Sequence, residues 1–142
     1  MDWRAATPQD VQDDFDSLLR DGVNAVARAL GNADSFTPFM LVIDRSGRKD
    51  IRMSEHRPGS ADEQTLTAAL QIGGDRARLR ARATVFDVTV SVPFAGAAIK
   101  AVLEHSSGLA IDVLVPYTAT AEQVQIDLNA TDAAVGTPKL WR

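Results

Sequence analysis

Residues 102–117, VLEHSSGLAIDVLVPY, decide how the chain is built. Ile99, Ala101, Leu103 and His105 alternate up to Ser106-Ser107-Gly108, and Leu109, Ile111, Val113, Val115 and Tyr117 alternate after it. Successive side chains of a strand point to opposite faces, so both runs bury their odd-numbered positions. Two strands joined by a tight turn share one buried face only if the loop has the right parity, which selects a three-residue connection over residues 106–108. His105 then stands opposite Leu109 at the rim of the buried face, and Glu104 projects through the other side. Glu104 and His105 are consecutive, but they cannot form an acid–base dyad.

Upstream, Leu79–Val92 is too rich in β-branched residues for a helix. Leu79, Ala81, Ala83 and Val85 alternate, then Phe86, Val88, Val90 and Val92 take over, which predicts a bulge between Thr84 and Phe86. If Val92 pairs with Ala97 across Pro93–Gly96, Asp87 falls opposite Val102, and Asp112 meets Val102 from the other side. Lys100 and Glu104 are then diagonal neighbours of both acids. The register thus predicts a cluster of Asp87, Lys100, Glu104 and Asp112 on the outer face, read as a carboxylate site or an exposed ion-pair lattice. Val85, Ala110 and Leu114 on that face offer a partly apolar surface for a partner. Arg76, Arg78, Arg80 and Arg82 alternate at the start of this strand. Four guanidinium groups in a row suit a phosphate or carboxylate ligand, a charged sheet edge, or pairing with acids of the first helix.

Nearer the start, Thr7-Pro8-Gln9-Asp10 reads as an N-cap, a proline at the first helical position and an acid at the positive end of the helix dipole. Val11, Phe15, Leu18, Leu19, Gly22, Val23, Val26 and Leu30 form one apolar stripe, and Gly31 suits a left-handed C-cap. Asp10, Asp13, Asp14 and Asp16 read as acids on a wet face that complement the dipole, with no metal site. Phe39–Ile43 is a strand, and Ile51 and Met53 continue its face after a three-residue loop closed by a left-handed Gly47. Ser60-Ala61-Asp62-Glu63 reads as a capping box for a second helix burying Leu66, Ala69 and Leu70, with Ile72 at its end. Gly73-Gly74 follows that helix, so it reads as a C-cap and not as a phosphate cradle. Glu55-His56 lies between a strand and a turn and stays a candidate acid–base pair. Val124, Ile126 and Leu128 permit a last short strand, residues 129–142 read as an irregular tail, and Trp141 is expected to dock.

The chain has 142 residues, a formal net charge of −4 and no cysteine. Its length suits one domain over residues 1–142, and the missing thiols exclude disulfides, thiolate metal sites and cysteine nucleophiles. No apolar run is long enough to span a membrane and no signal-peptide pattern is present, so a cytoplasmic location is expected. The negative charge argues against a nucleic-acid partner. No cofactor motif is found.

Pro38-Phe39, Asp87-Val88-Thr89-Val90 with Pro93, the LEHxxGxA pattern of Leu103–Ala110, Pro116-Tyr117 and Trp141 together resemble a bacterial family of uncharacterised proteins, found chiefly in actinomycetes. The likeness spans residues 36–141 and implies no catalytic residue.

The element order α-β-β-α-β-β-β predicts an α+β domain: a mostly antiparallel sheet of five to six strands with one face under two amphipathic helices. Profilin-like and Roadblock-like modules share this order, and by analogy the strand order would be 2-1-5-4-3. The favoured function is a non-catalytic binding or scaffolding module that self-associates as a homodimer, through the outer sheet face, a strand edge or the tryptophan-bearing tail. The alternative is a small-molecule hydrolase or isomerase using His56 or His105 with Tyr117 or a carboxylate such as Glu55.

Overall fold

The computed structural model describes residues 3–31, 35–54, 62–92, 94–120 and 122–141. Helix α1 (Gln9–Leu30) follows a 3-10 turn at Trp3–Ala6. It buries Val11, Phe15, Leu18, Val23, Val26 and Leu30, the stripe expected from the spacing. Gly22 lies on the same stripe, and a Cβ there would meet Val85 at 3.4 Å and Leu41 at 3.6 Å, so the missing side chain lets helix and sheet approach. The ends differ from expectation. Pro8 is the N-cap residue, Thr7 Oγ1 turns back to donate to the Trp3 carbonyl, and Gly31 keeps a right-handed φ of −64°.

Strands β1 (Phe39–Asp44) and β2 (Lys49–Met53) form a hairpin in which Ile43 faces Lys49. The turn closes by Asp44 N–H to the Arg48 carbonyl at 2.9 Å, with Gly47 at φ 89°. This is the three-residue loop that parity demanded. Helix α2 (Glu63–Leu70) is capped by Asp62, whose carboxylate accepts from Thr65 N–H at 2.7 Å; Ser60 lies outside the described residues. Leu66 and Leu70 are buried, whereas Ala69 and Ile72 are exposed. A single turn, α3 (Asp75–Arg78), leads into β3 (Leu79–Val90). Then come β4 (Gly96–His105), β5 (Ala110–Ala119), β6 (Val124–Ile126) and β7 (Asp132–Val135). The expected irregular tail therefore contains a strand.

The fold is α+β, with an antiparallel sheet ordered β2-β1-β3-β4-β5-β6 and β7 also on β5. The 2-1-5-4-3 order is thus corrected: β3, not β5, lies beside β1. The β5 margin is shared along its length, β7 pairing Ile111–Leu114 and β6 pairing Tyr117–Ala119. Among the described residues no helix is long and apolar enough to cross a membrane.

Each helix takes its own face of the sheet. On one, α1 covers Phe39, Leu41, Ile43, Ala83, Val85, Ala101 and the odd-numbered residues of β5. On the other, Leu70 of α2 joins Met40, Val42, Leu79 and Trp141 in a second cluster. The prediction of two helices on one face fails because β1 is apolar at every position from Phe39 to Ile43 and buries both faces. Trp141 is docked there as expected, its indole N–H donating to the Arg76 carbonyl at 3.0 Å.

No bulge occurs between Thr84 and Phe86: the β3–β4 register runs unbroken from Ala81↔His105 to Val90↔Gly96. The apolar phase changes because Thr84 and Phe86 lie under the cover on the outer face, so both faces of β3 are buried. The irregularity is at the strand's start, where Ile43 faces Ala81 but Asp44 faces Leu79, leaving Arg80 as the extra residue.

Candidate functional site

The β4–β5 hairpin has the predicted geometry, with Val102 facing Asp112, Glu104 facing Ala110, and His105 N–H donating to the Leu109 carbonyl at 2.9 Å. His105 looks inward and is 7 % exposed. Its Nδ1 accepts from Ser107 N–H at 3.1 Å, so the ring proton sits on Nε2, which lies 3.1 Å from Asp14 Oδ2. Asp14 in turn accepts from Arg80 Nε at 3.0 Å and Nη2 at 2.9 Å. The bulge aims Arg80 at α1. Both imidazole nitrogens are therefore engaged: Nε2 ties the β4–β5 hairpin to α1, and Nδ1 braces the hairpin's own turn. Asp14 is buried, not on the wet face assigned to it, and the clue was an acid on the helix's apolar stripe, between Val11 and Phe15.

Glu104 points through the opposite face, also as predicted, but it is enclosed. Its Oε2 accepts from Arg82 Nε at 3.1 Å and Nη2 at 2.8 Å, and its Oε1 accepts from the N–H groups of Lys139, Leu140 and Trp141 at 2.5, 2.7 and 3.1 Å. Arg82 gives its remaining Nη1 to Gln71 Oε1 at 2.6 Å. Arg82 and Glu104 are 2 % and 3 % exposed. A carboxylate held by one arginine and three consecutive amides is a clasp for the 136–141 segment.

The cluster of Asp87, Lys100, Glu104 and Asp112 does not form. The β3–β4 connection takes five residues, 91–95, so Asp87 faces Ile99 instead of Val102 and moves to the inner face. There its oxygens accept from Tyr117 Oη at 2.5 Å and Phe36 N–H at 3.2 Å. Lys100 pairs with Glu63 of α2 at 2.9 Å. Asp112 lies beside Gly136, where a Cβ would stand 2.9 Å from its carboxylate. The arginine row also breaks up. Arg76 and Arg78 are on α3, while Arg80 and Arg82 leave by opposite faces of β3. Glu55 and His56 lie outside the described residues, and among the described residues no group of acids and histidines could hold a metal ion.

Asp75, missed in the sequence, anchors β2. Its carboxylate accepts from Arg52 Nη1 at 2.7 Å and Nη2 at 2.9 Å and from Ile72 N–H at 2.9 Å. Burial opposes its charge, but the Arg52 and Ile72 hydrogen bonds and the nearby Arg52 and Arg78 charges outweigh it and hold the pKa below the usual 3.8. A depressed carboxylate contributes stability that is fully present above its unfolded value and is lost as pH falls through its folded one. Asp75→Asn is therefore expected to flatten the fall in stability below about pH 4, read by urea unfolding of both proteins at pH 6, 4 and 3.

With these groups engaged, an open margin of the sheet is the edge strand β2, exposed at four of its five positions. The bonds Asp44 N–H to Arg48 O (2.9 Å) and Ser54 N–H to Pro38 O (3.1 Å) fix the ladder, so even-numbered β2 residues face β1 and Lys49, Ile51 and Met53 turn their backbone groups outward. Ile51 and Met53 are 44 % and 60 % exposed. The outward Ile51 N–H is covered by the carboxylate of Asp50 at 2.9 Å. A cleft flanks the strand on each face. One, of about 400 Å³, is lined by Val42, Asp50, Arg52, Ile72, Arg78 and Leu79; the other, of about 380 Å³, by Asp21, Ala25, Arg28, Leu41, Lys49 and Ile51. An added strand sends alternate side chains to opposite faces, so such an edge has room for both sets.

Comparison with protein-family models, with curated proteins and with solved structures found no match to the chain.

Proposed function

We propose that the chain is a non-catalytic binding or scaffolding module that self-associates, working in the cytoplasm through the outward edge of β2. The observation that carries this reading is the pair of clefts beside an edge strand whose Ile51 and Met53 are exposed. Strand addition supplies affinity through main-chain hydrogen bonds and specificity through pockets for alternate side chains. The hydrolase or isomerase alternative needs a histidine free to move a proton. Of its candidates, His105 has both nitrogens engaged and Tyr117 donates to Asp87, while Glu55 and His56 lie outside the described residues. Membership of the actinomycete family that the motifs resemble is part of the same proposal.

Ile51→Pro tests the edge. It deletes an N–H that makes no bond to β1, so folding is expected to change by no more than about 1 kcal/mol while an incoming strand loses its central donor. Sedimentation equilibrium is expected to show a reversible dimer for the parent and at least roughly tenfold weaker association for the variant. A parent that stays monomeric at all concentrations rules out the self-associating module, and a variant that dimerises undiminished rules out this edge.

A further inference from the structure

We infer that the strand added at β2 is β2 of a second copy, running antiparallel with Ile51 on the twofold axis; this rests on the edge-binding reading above. The hydrogen-bond pattern and the charges select that register. Outward-facing residues must pair with outward-facing residues, so odd positions meet odd ones and the axis passes through a residue of the strand. An axis at Lys49, Asp50 or Arg52 sets each of these charges opposite its own copy, which is unfavourable for directly facing residues. At Met53 the pairing runs past the end of the strand.

At Ile51 every position is matched. Ile51 meets Ile51 of the partner subunit in a hydrogen-bonded pair, and Lys49 lays its stem beside Met53 of the partner subunit. Asp50 stands opposite Arg52 of the partner subunit. This last pair is of the non-hydrogen-bonded kind, in which facing side chains come closest, and the symmetry makes it twice. The Ile51 N–H exchanges its cover: it leaves the Asp50 carboxylate, which holds it at 2.9 Å in the single chain, for the Ile51 carbonyl of the partner subunit. The released carboxylate then faces Arg52 of the partner subunit, a guanidinium whose two Nη groups stay on Asp75, so the new contact extends an existing ion pair and does not replace it. One change of partner thus opens the edge and brings the two charges together.

The chain has no cysteine, so single cysteines report the register directly. Facing residues of a hydrogen-bonded pair have Cα atoms about 5.5 Å apart, within disulfide range. Two Met53 positions in this register lie roughly 14 Å apart. Under mild oxidation Ile51→Cys is expected to become a covalent dimer and Met53→Cys to stay uncoupled, whereas Met53→Cys mixed with Lys49→Cys couples. Coupling of Met53→Cys with itself at the Ile51→Cys rate overturns the register. A dimer by sedimentation in which none of these couples overturns the β2 pairing but leaves self-association standing, and a monomer throughout overturns both.

Discussion

Glu104→Ala is expected to lower unfolding free energy by about 3–5 kcal/mol, the range for removing one partner of a buried ion pair. The loss is larger than a missing contact because of what stays behind. Arg82 keeps its charge in a buried place with only Gln71 to bond, and the amides of residues 139–141 lose their common acceptor. Replacing a buried pair by apolar residues is often harmless, yet Arg82→Met combined with Glu104→Leu should still be destabilised, since neither new side chain accepts from those amides. Urea unfolding followed by circular dichroism separates these outcomes, and an unchanged slope would confirm that stability, not compactness, has moved.

Trp141→Ala should cost a similar amount, about 3–5 kcal/mol for a large aromatic taken from a filled site. Met40, Val42, Leu70 and Leu79 lose the ring that covers them, and the Arg76 carbonyl loses its indole donor. The two losses should not add. Once Glu104 no longer holds the backbone, the tryptophan has a weaker hold on its site, so the double variant is expected to fall short of the sum by 0.5 kcal/mol or more, roughly the lower bound for groups in one network. Full additivity would show that amide clasp and indole anchor act independently.

Much of this arrangement was legible in the chain, for a definite reason. Parity within a hairpin is a local property, so the three-residue loops at Gly47 and Gly108, the inward turn of His105 and the outward turn of Glu104 all followed from counting. Long-range features did not. The β3–β4 loop length was free by several residues, and an odd error moved Asp87 to the wrong face and removed the expected acid cluster. The mixed burial of β3 came not from a local bulge but from cover distant in sequence: Thr84 and Phe86 share a small cavity with Glu63 and Thr67 of α2 and with Thr137 and Lys139. Asp75 and Asp50 carried no motif: Asp75 holds an arginine 23 residues away, a distance that spacing cannot encode, and Asp50 bonds only its neighbour's N–H, which leaves no pattern in the sequence.

The split margin at β5 bears on how an assembly of such chains would grow. A twofold contact at β2 uses up the long free edge of each copy. What is left at the far side is two strands of three and four residues set against different halves of one neighbour, with no straight row of open amides to receive another molecule. In the proposed twofold pair, an edge made of such short strands disfavours further strand addition, so association is expected to stop at a pair and not to propagate into filaments.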